Sequence, residues 1–124
     1  MAAPNIVNVA SVVGKTAYAT PSNTTANVLL ANAASSNKVF KINQIVAANV
    51  DGTNAIDCTV AINSAANGGG TSYAIASTVS VPADASLIVV DKSTAIYLEE
   101  DKSIVVTSGT ASKITYTVSY EEIS

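Results

Sequence analysis

Gly14-Lys15-Thr16 is the first stretch of this 124-residue chain whose residue types could do chemistry, because it ends like a phosphate-binding loop. The full motif needs a glycine five positions before Gly14, where the chain has Val9, and no helical pattern follows to offer an N-terminus to a phosphate. The tripeptide is therefore read as a turn. Glu99, Glu100 and Asp101 form the one acidic cluster, and glycoside hydrolysis would need two carboxylates facing a common cleft. Adjacent residues at a strand end point to opposite faces, so the trio reads as a solvated turn. Asp51, Asp84, Asp91 and Asp101 fall at predicted loops and could converge on calcium with backbone carbonyls, although their spacing matches no calcium-loop motif. Gly68 to Gly70 lack a nearby lysine or a strand-to-helix context, and read as a mobile hairpin loop.

Cys58 is the single cysteine and lies on the parity of Val60 and Ile62, as a small buried hydrophobe would. No local cation or imidazole would lower its pKa for nucleophilic work, and one cysteine makes no internal disulfide. Five tyrosines, Tyr18, Tyr73, Tyr97, Tyr116 and Tyr120, could form a carbohydrate platform. Tyr73, Tyr116 and Tyr120 have core parity, however, with each hydroxyl reaching a rim.

The chain has no histidine, no tryptophan and no arginine. Without histidine, the Ser-His-Asp and Cys-His systems and ordinary zinc sites are excluded. Six lysines against nine acids, with no bidentate guanidinium, argue against a nucleic-acid surface. Hydrophobic residues make up 48% and charged residues 12%, so much of the outer surface must be neutral Ala, Ser, Thr and Asn. So little charge points to a surface partly covered by partners. The N-terminus has neither a basic region nor a long apolar run, and no stretch approaches the ~20 apolar residues of a membrane helix, so folding in a cytoplasm and no membrane partner are expected.

The elements that must position these residues are strands. Val, Ile and Thr dominate the apolar positions and no stretch sustains helical spacing over three turns. Ile114, Tyr116, Val118 and Tyr120 alternate with Thr115, Thr117, Ser119 and Glu121, one face inward and the other toward water. Short apolar runs at 87–90, 96–98 and 104–106 lie between turn residues, and 6–13, 25–31, 58–62 and 73–81 complete the set. Residues 38–49 suit a central strand, with a bulge near Asn43-Gln44 because Phe40 and Ile42 share one parity and Ile45 the other. Asp51-Gly52 supplies a turn. The expected fold is an all-β, antiparallel two-sheet β-sandwich of about eight strands, Ig-like or jelly-roll, forming one domain over residues 1–124 with a short N-terminal arm at about 1–10.

Residues 1–50 carry three lysines and no acid, whereas residues 51–124 carry nine acids and three lysines. Either strands from both halves interleave and the asymmetry vanishes in space, or the sandwich has oppositely charged ends suited to head-to-tail contacts.

Several segments together resemble a group of small virion structural proteins of tailed phages, particularly marine and cyanobacterial ones. They are Val-Ala-Ser-Val-Val-Gly-Lys-Thr at 9–16, Ser-Asn-Lys-Val-Phe-Lys-Ile-Asn at 36–43, Val-Pro-Ala-Asp-Ala-Ser-Leu at 81–87, Ile-Tyr-Leu-Glu-Glu at 96–100 and Ser-Tyr-Glu-Glu-Ile at 119–123. The resemblance spans nearly the whole chain. It implies a non-enzymatic subunit with no cofactor, assembled in a host cytoplasm into the virion. The expected role is capsid decoration, bridging subunits of the major capsid protein, with the tail, neck or fibre adaptor as the alternative and homo-oligomerisation in either. An arm carrying Ile6, Val7 and Val9, together with a neutral Ala/Ser/Thr-rich face and the rings of Tyr18 and Tyr97, would bury against neighbours. A glycan- or calcium-binding module at the host surface, acting through Tyr18, Tyr97 or the loop acids, is a further alternative.

Overall fold

The computed structural model describes residues 10–124, and the positions of Ile6, Val7 and Val9 in the proposed arm lie outside the described residues. Among the described residues nine strands follow in order: β1 (Val12–Ala19), β2 (Asn27–Asn32), β3 (Val39–Asn49), β4 (Ile56–Asn63), β5 (Ser72–Val81), β6 (Ser86–Val90), β7 (Ile96–Leu98), β8 (Lys102–Ser108) and β9 (Ile114–Ile123). They form two antiparallel sheets packed face to face, a β-sandwich. Sheet A has the order β1-β9-β3-β6, with β7 also pairing β3, and sheet B has the order β2-β8-β4-β5.

This connectivity decides between the two expected topologies. An Ig sandwich places its first two strands side by side, but here β1 and β2 lie in different sheets. The pairs are nested instead: β1 with β9, β2 with β8, β3 with β6 and β7, and β4 with β5. That is one long antiparallel ribbon rolled on itself, closed by the additional pairs β9·β3 and β8·β4. The sandwich is a jelly roll. Strands β6 and β7 occupy one strand position, interrupted at Lys92–Thr94 by a 3-10 turn that Asp91 caps through its carboxylate, so the nine strands fill eight positions.

The core lies between the sheets. Ile42, Ile45 and Ala47 from β3, Tyr116 and Val118 from β9, Ile104 and Val106 from β8, and Cys58 and Val60 from β4 are buried there. Their alternation with polar neighbours selects the inward face of each strand. The register shift in β3 falls between Ile42 and Gln44, so the bulge expected from the parity change of Ile45 is present. Phe40 and Tyr120 bring their ring centroids to 5.0 Å in a tilted arrangement, filling one end of the core.

Gly14-Lys15-Thr16 does not form the expected turn. It lies in the middle of β1, which runs unbroken along β9 from Val12 to Ala19 and begins six residues later than the expected 6–13 segment. The strand is set by its partner and not by its own weak pattern: Lys15 Nζ reaches Glu122 Oε2 at 3.0 Å and Ala17 packs on the core. Lys38 Nζ meets the other oxygen of the same carboxylate at 2.6 Å, and Lys41 stands opposite Glu121. First-half strands thus flank a second-half strand, and the charge asymmetry of the sequence becomes local pairing instead of oppositely charged ends.

Tyr73 also departs from expectation. It stands opposite Ile62 at the start of β5, but it is 65% exposed. Strand β5 is a sheet edge with two register shifts, and Ile62 itself is only half buried, so the ring leaves the core at this corner.

Candidate interaction surface

The outer face of sheet A follows from the ladder registers, because residues directly opposite in antiparallel strands share a face. Inward Ala17, Val118, Ile45 and Val90 place their sequence neighbours outward, apart from the bulges. One row across this face reads Tyr18, Thr117, Val46, Ile88, and the next toward the strand ends reads Thr115, Ala48, Ser86, with Thr20, just past the end of β1, beside Thr115. In the other direction come Thr16, Ser119 and Gln44, then Gly14, Glu121, Lys41 and Tyr97. Among the described residues, these rows are uncharged except for the facing pair Lys41 and Glu121. Hydroxyl pairs lie across it, Thr20 Oγ1 with Thr115 Oγ1 at 2.8 Å and Thr16 Oγ1 with Ser119 Oγ at 3.4 Å.

Tyr18, Tyr97 and Ile88 are exposed by 75%, 50% and 58%, and Val12 is half exposed at the rim of the same face. Both tyrosines named from sequence therefore share one surface. Three strand spacings across the sheet and four residues along it separate them by roughly 20 Å, from ~4.8 Å between strands and ~3.4 Å per residue. Sugar binding by a contiguous pair of rings would need them closer together. Ile88 was not singled out in the sequence; its outward turn depends on the register shift between Ile45 and Val46, which local alternation does not reveal.

The outer face of sheet B is built differently. The 64–71 loop folds back over it, where a Cβ on Gly68 would come within 2.8 Å of Val28 Cγ2 and 3.4 Å of Val105 Cγ1. Ser103 Oγ donates to the Ala65 carbonyl at 2.7 Å, and Ala61 and Val105 are buried beneath the loop. Gly68 adopts φ 79°, a conformation that favours glycine. The triple-glycine segment is therefore a pinned cover and not the mobile loop expected. Its anchor is Asn63, whose amide donates to Gly70 O and Ser72 Oγ while its Oδ1 accepts from Ala65 and Gly70.

Asn63 has two counterparts that sequence reading missed. Asn32, Asn49 and Asn63 are the last residues of β2, β3 and β4, and all three are buried. Asn32 donates to Lys38 O and Leu98 O, and Asn49 to Asn54 O and Val81 O. Each joins a strand exit to a second segment and satisfies backbone groups that water does not reach. Asparagine recurring at predicted strand ends was the available signal.

The four loop aspartates do not converge on one site, although the loops of Asp51 and Asp84 meet. Asp51 accepts from the amides of Thr53 and Asn54, which hold its carboxyl below the usual range, and its carbonyl accepts from Asp84 N. Asp91 caps the 3-10 turn, while Asp101 lies at the other end of the sandwich, where its carboxylate accepts from Ala66 N. Glu99, Glu100 and Asp101 occupy the β7–β8 turn, as expected. Among the described residues, no group of three acidic or cysteine side chains is arranged to hold a metal. Burial, and secondarily Asp57, pushes the Cys58 thiol up, away from nucleophilic reactivity. Burial likewise pushes the Tyr116 hydroxyl up to about 12, despite its contact with Ser108.

No family model matches the chain, and a search of curated proteins finds none similar to it.

Proposed function

We propose that this chain is a non-enzymatic structural subunit of a tailed-phage virion, a decoration protein that binds the shell of the major capsid protein. The observation that carries this reading is the outer face of sheet A, where Tyr18, Ile88 and Tyr97 stand exposed among Thr, Ser, Ala and Gln. Aromatic anchors in a nearly uncharged surround have the chemistry of a protein-binding surface, because little desolvated charge opposes burial. The sequence resemblance to small virion proteins and the 12% charged composition support the same assignment. Each copy makes a modest contact, and the repeating shell multiplies it by avidity.

The test is rebinding. Purified protein is added to phage particles that lack it, and bound protein is measured after sedimentation. Near-stoichiometric binding to the capsid is expected, with the Tyr18→Ser, Tyr97→Ser double variant weakened at least tenfold. Binding confined to tails would move the protein to the neck, tail or fibre-adaptor role. No binding to any part of the particle would refute the virion assignment.

A further inference from the structure

Sheet A and sheet B leave four strand positions at their edges, and three of them carry features that discourage pairing with another chain. Strand β2 has a register shift between Val28 and Leu30. Strand β5 has two shifts and a left-handed residue, Thr78, at φ 51°. The β6–β7 edge is cut in two by the Asp91-capped turn. Strand β1 has none of these. It runs for eight residues in uninterrupted register, contains no proline, and turns its single charge, Lys15, to Glu122. Among the described residues it has a hydrogen-bonded neighbour, β9, on one side only.

The backbone polarity of this edge follows from its first pair. Ser11 N donates to Ser124 O and Ser124 N to Ser11 O, so Ser11 faces β9. With the register unbroken, Val13, Lys15, Ala17 and Ala19 also face β9, whereas Val12, Gly14, Thr16 and Tyr18 direct their N–H and C=O groups to the free edge. These four belong to the outer face described above.

We infer that β1 is a homodimerisation edge, pairing antiparallel with β1 of a second copy about a two-fold axis at Thr16. This register keeps outward residues opposite outward residues. It sets Thr16 against Thr16 of the partner copy, a favourable cross-strand pair, and Tyr18 against Gly14, where an aromatic ring covers a glycine. Residues 14, 16 and 18 exchange bonds in pairs across the axis, giving six. Of the two neighbouring in-phase registers, centring on Lys15 would oppose two like charges, and centring on Ala17 would set Tyr18 against Thr16 and leave Gly14 uncovered. The interface is isologous, so it closes at two copies and joins the two outer faces into one continuous surface. It does not depend on the virion assignment.

Sedimentation equilibrium of the full chain tests it, together with oxidation of a Thr16→Cys variant. Cys58 is buried and does not compete. The expected results are a dimer, a disulfide-linked dimer from Thr16→Cys and none from a Tyr73→Cys control on β5. Thr16→Pro should weaken association by at least ~30-fold, since it deletes two bonds across the axis but none to β9. If Thr16→Pro disturbs folding, Thr16→Lys replaces it by placing like charges on the axis. A chain that remains monomeric at millimolar concentration overturns the inference. So does a dimer that Thr16→Cys does not link, or that the axis substitutions leave intact.

Discussion

Replacing Asn63 by alanine isolates the device that closes the strand exits of this jelly roll. The side chain makes four hydrogen bonds, two donated to Gly70 O and Ser72 Oγ and two accepted from the amides of Ala65 and Gly70. At ~1 kcal/mol net for each, their sum is ~4 kcal/mol. Gly70 and Ser72 are exposed, so water recovers part of that, leaving an expected loss of about 2–3 kcal/mol. Urea unfolding followed by far-UV circular dichroism measures the loss, with Ser64→Ala as comparison because Ser64 Oγ accepts only from Thr71 N. Hydrogen exchange locates it: the Ala65 and Gly70 amides should lose protection in Asn63→Ala while the β3·β9 ladder keeps it. A loss below ~1 kcal/mol, or unchanged exchange at both amides, would refute the claim that Asn63 pins the loop.

The other predictions use single side chains. Tyr116→Phe removes the hydroxyl that donates to Thr107 O at 2.9 Å and should destabilise by about 1–2 kcal/mol in the same unfolding assay. The Tyr116 hydroxyl is raised to about 12 from 10.0, so the unfolded chain ionises first. Its contribution is complete below pH 10 and is lost as pH rises toward 12, and Tyr116→Phe should flatten that part of the stability profile. Glu122 is depressed below its ordinary value of 4.5 by Lys38 first and Lys15 next. Its contribution is present above that value and lost as pH falls through its folded pKa, so wild type and Glu122→Gln should converge in stability at acid pH. Gly68→Ala puts a Cβ 2.8 Å from Val28 Cγ2 at a left-handed position, and should cost about 1–2 kcal/mol while speeding exchange of the Gly70 amide in the displaced loop.

Regular alternation made much of the fold legible. Tyr116, Val118 and Tyr120 point inward as their period of two requires, and the parity jump between Ile42 and Ile45 announced a bulge. Long-range pairing was not legible. Beyond Val13, nothing within Val12–Ala19 announces a strand, and it exists because β9, on the far side of the sequence, supplies a ladder and Glu122. Tyr73 has the parity of a core residue, but exposure at an edge corner depends on which strand ends the sheet. The triple glycine suggested mobility because its anchors, Asn63 and Ser103, come from outside the loop. At the candidate surface, Tyr18 and Tyr97 were visible as residues, whereas their common face with Ile88 required the register of four strands.

Cryo-electron microscopy of the intact phage particle tests the central claim most directly. The account predicts density for this jelly roll repeating over the capsid lattice, with the outer face of sheet A turned to the shell and Tyr18, Ile88 and Tyr97 covered. Absence of the protein from the particle, or lattice density with that face open to solvent, would contradict it.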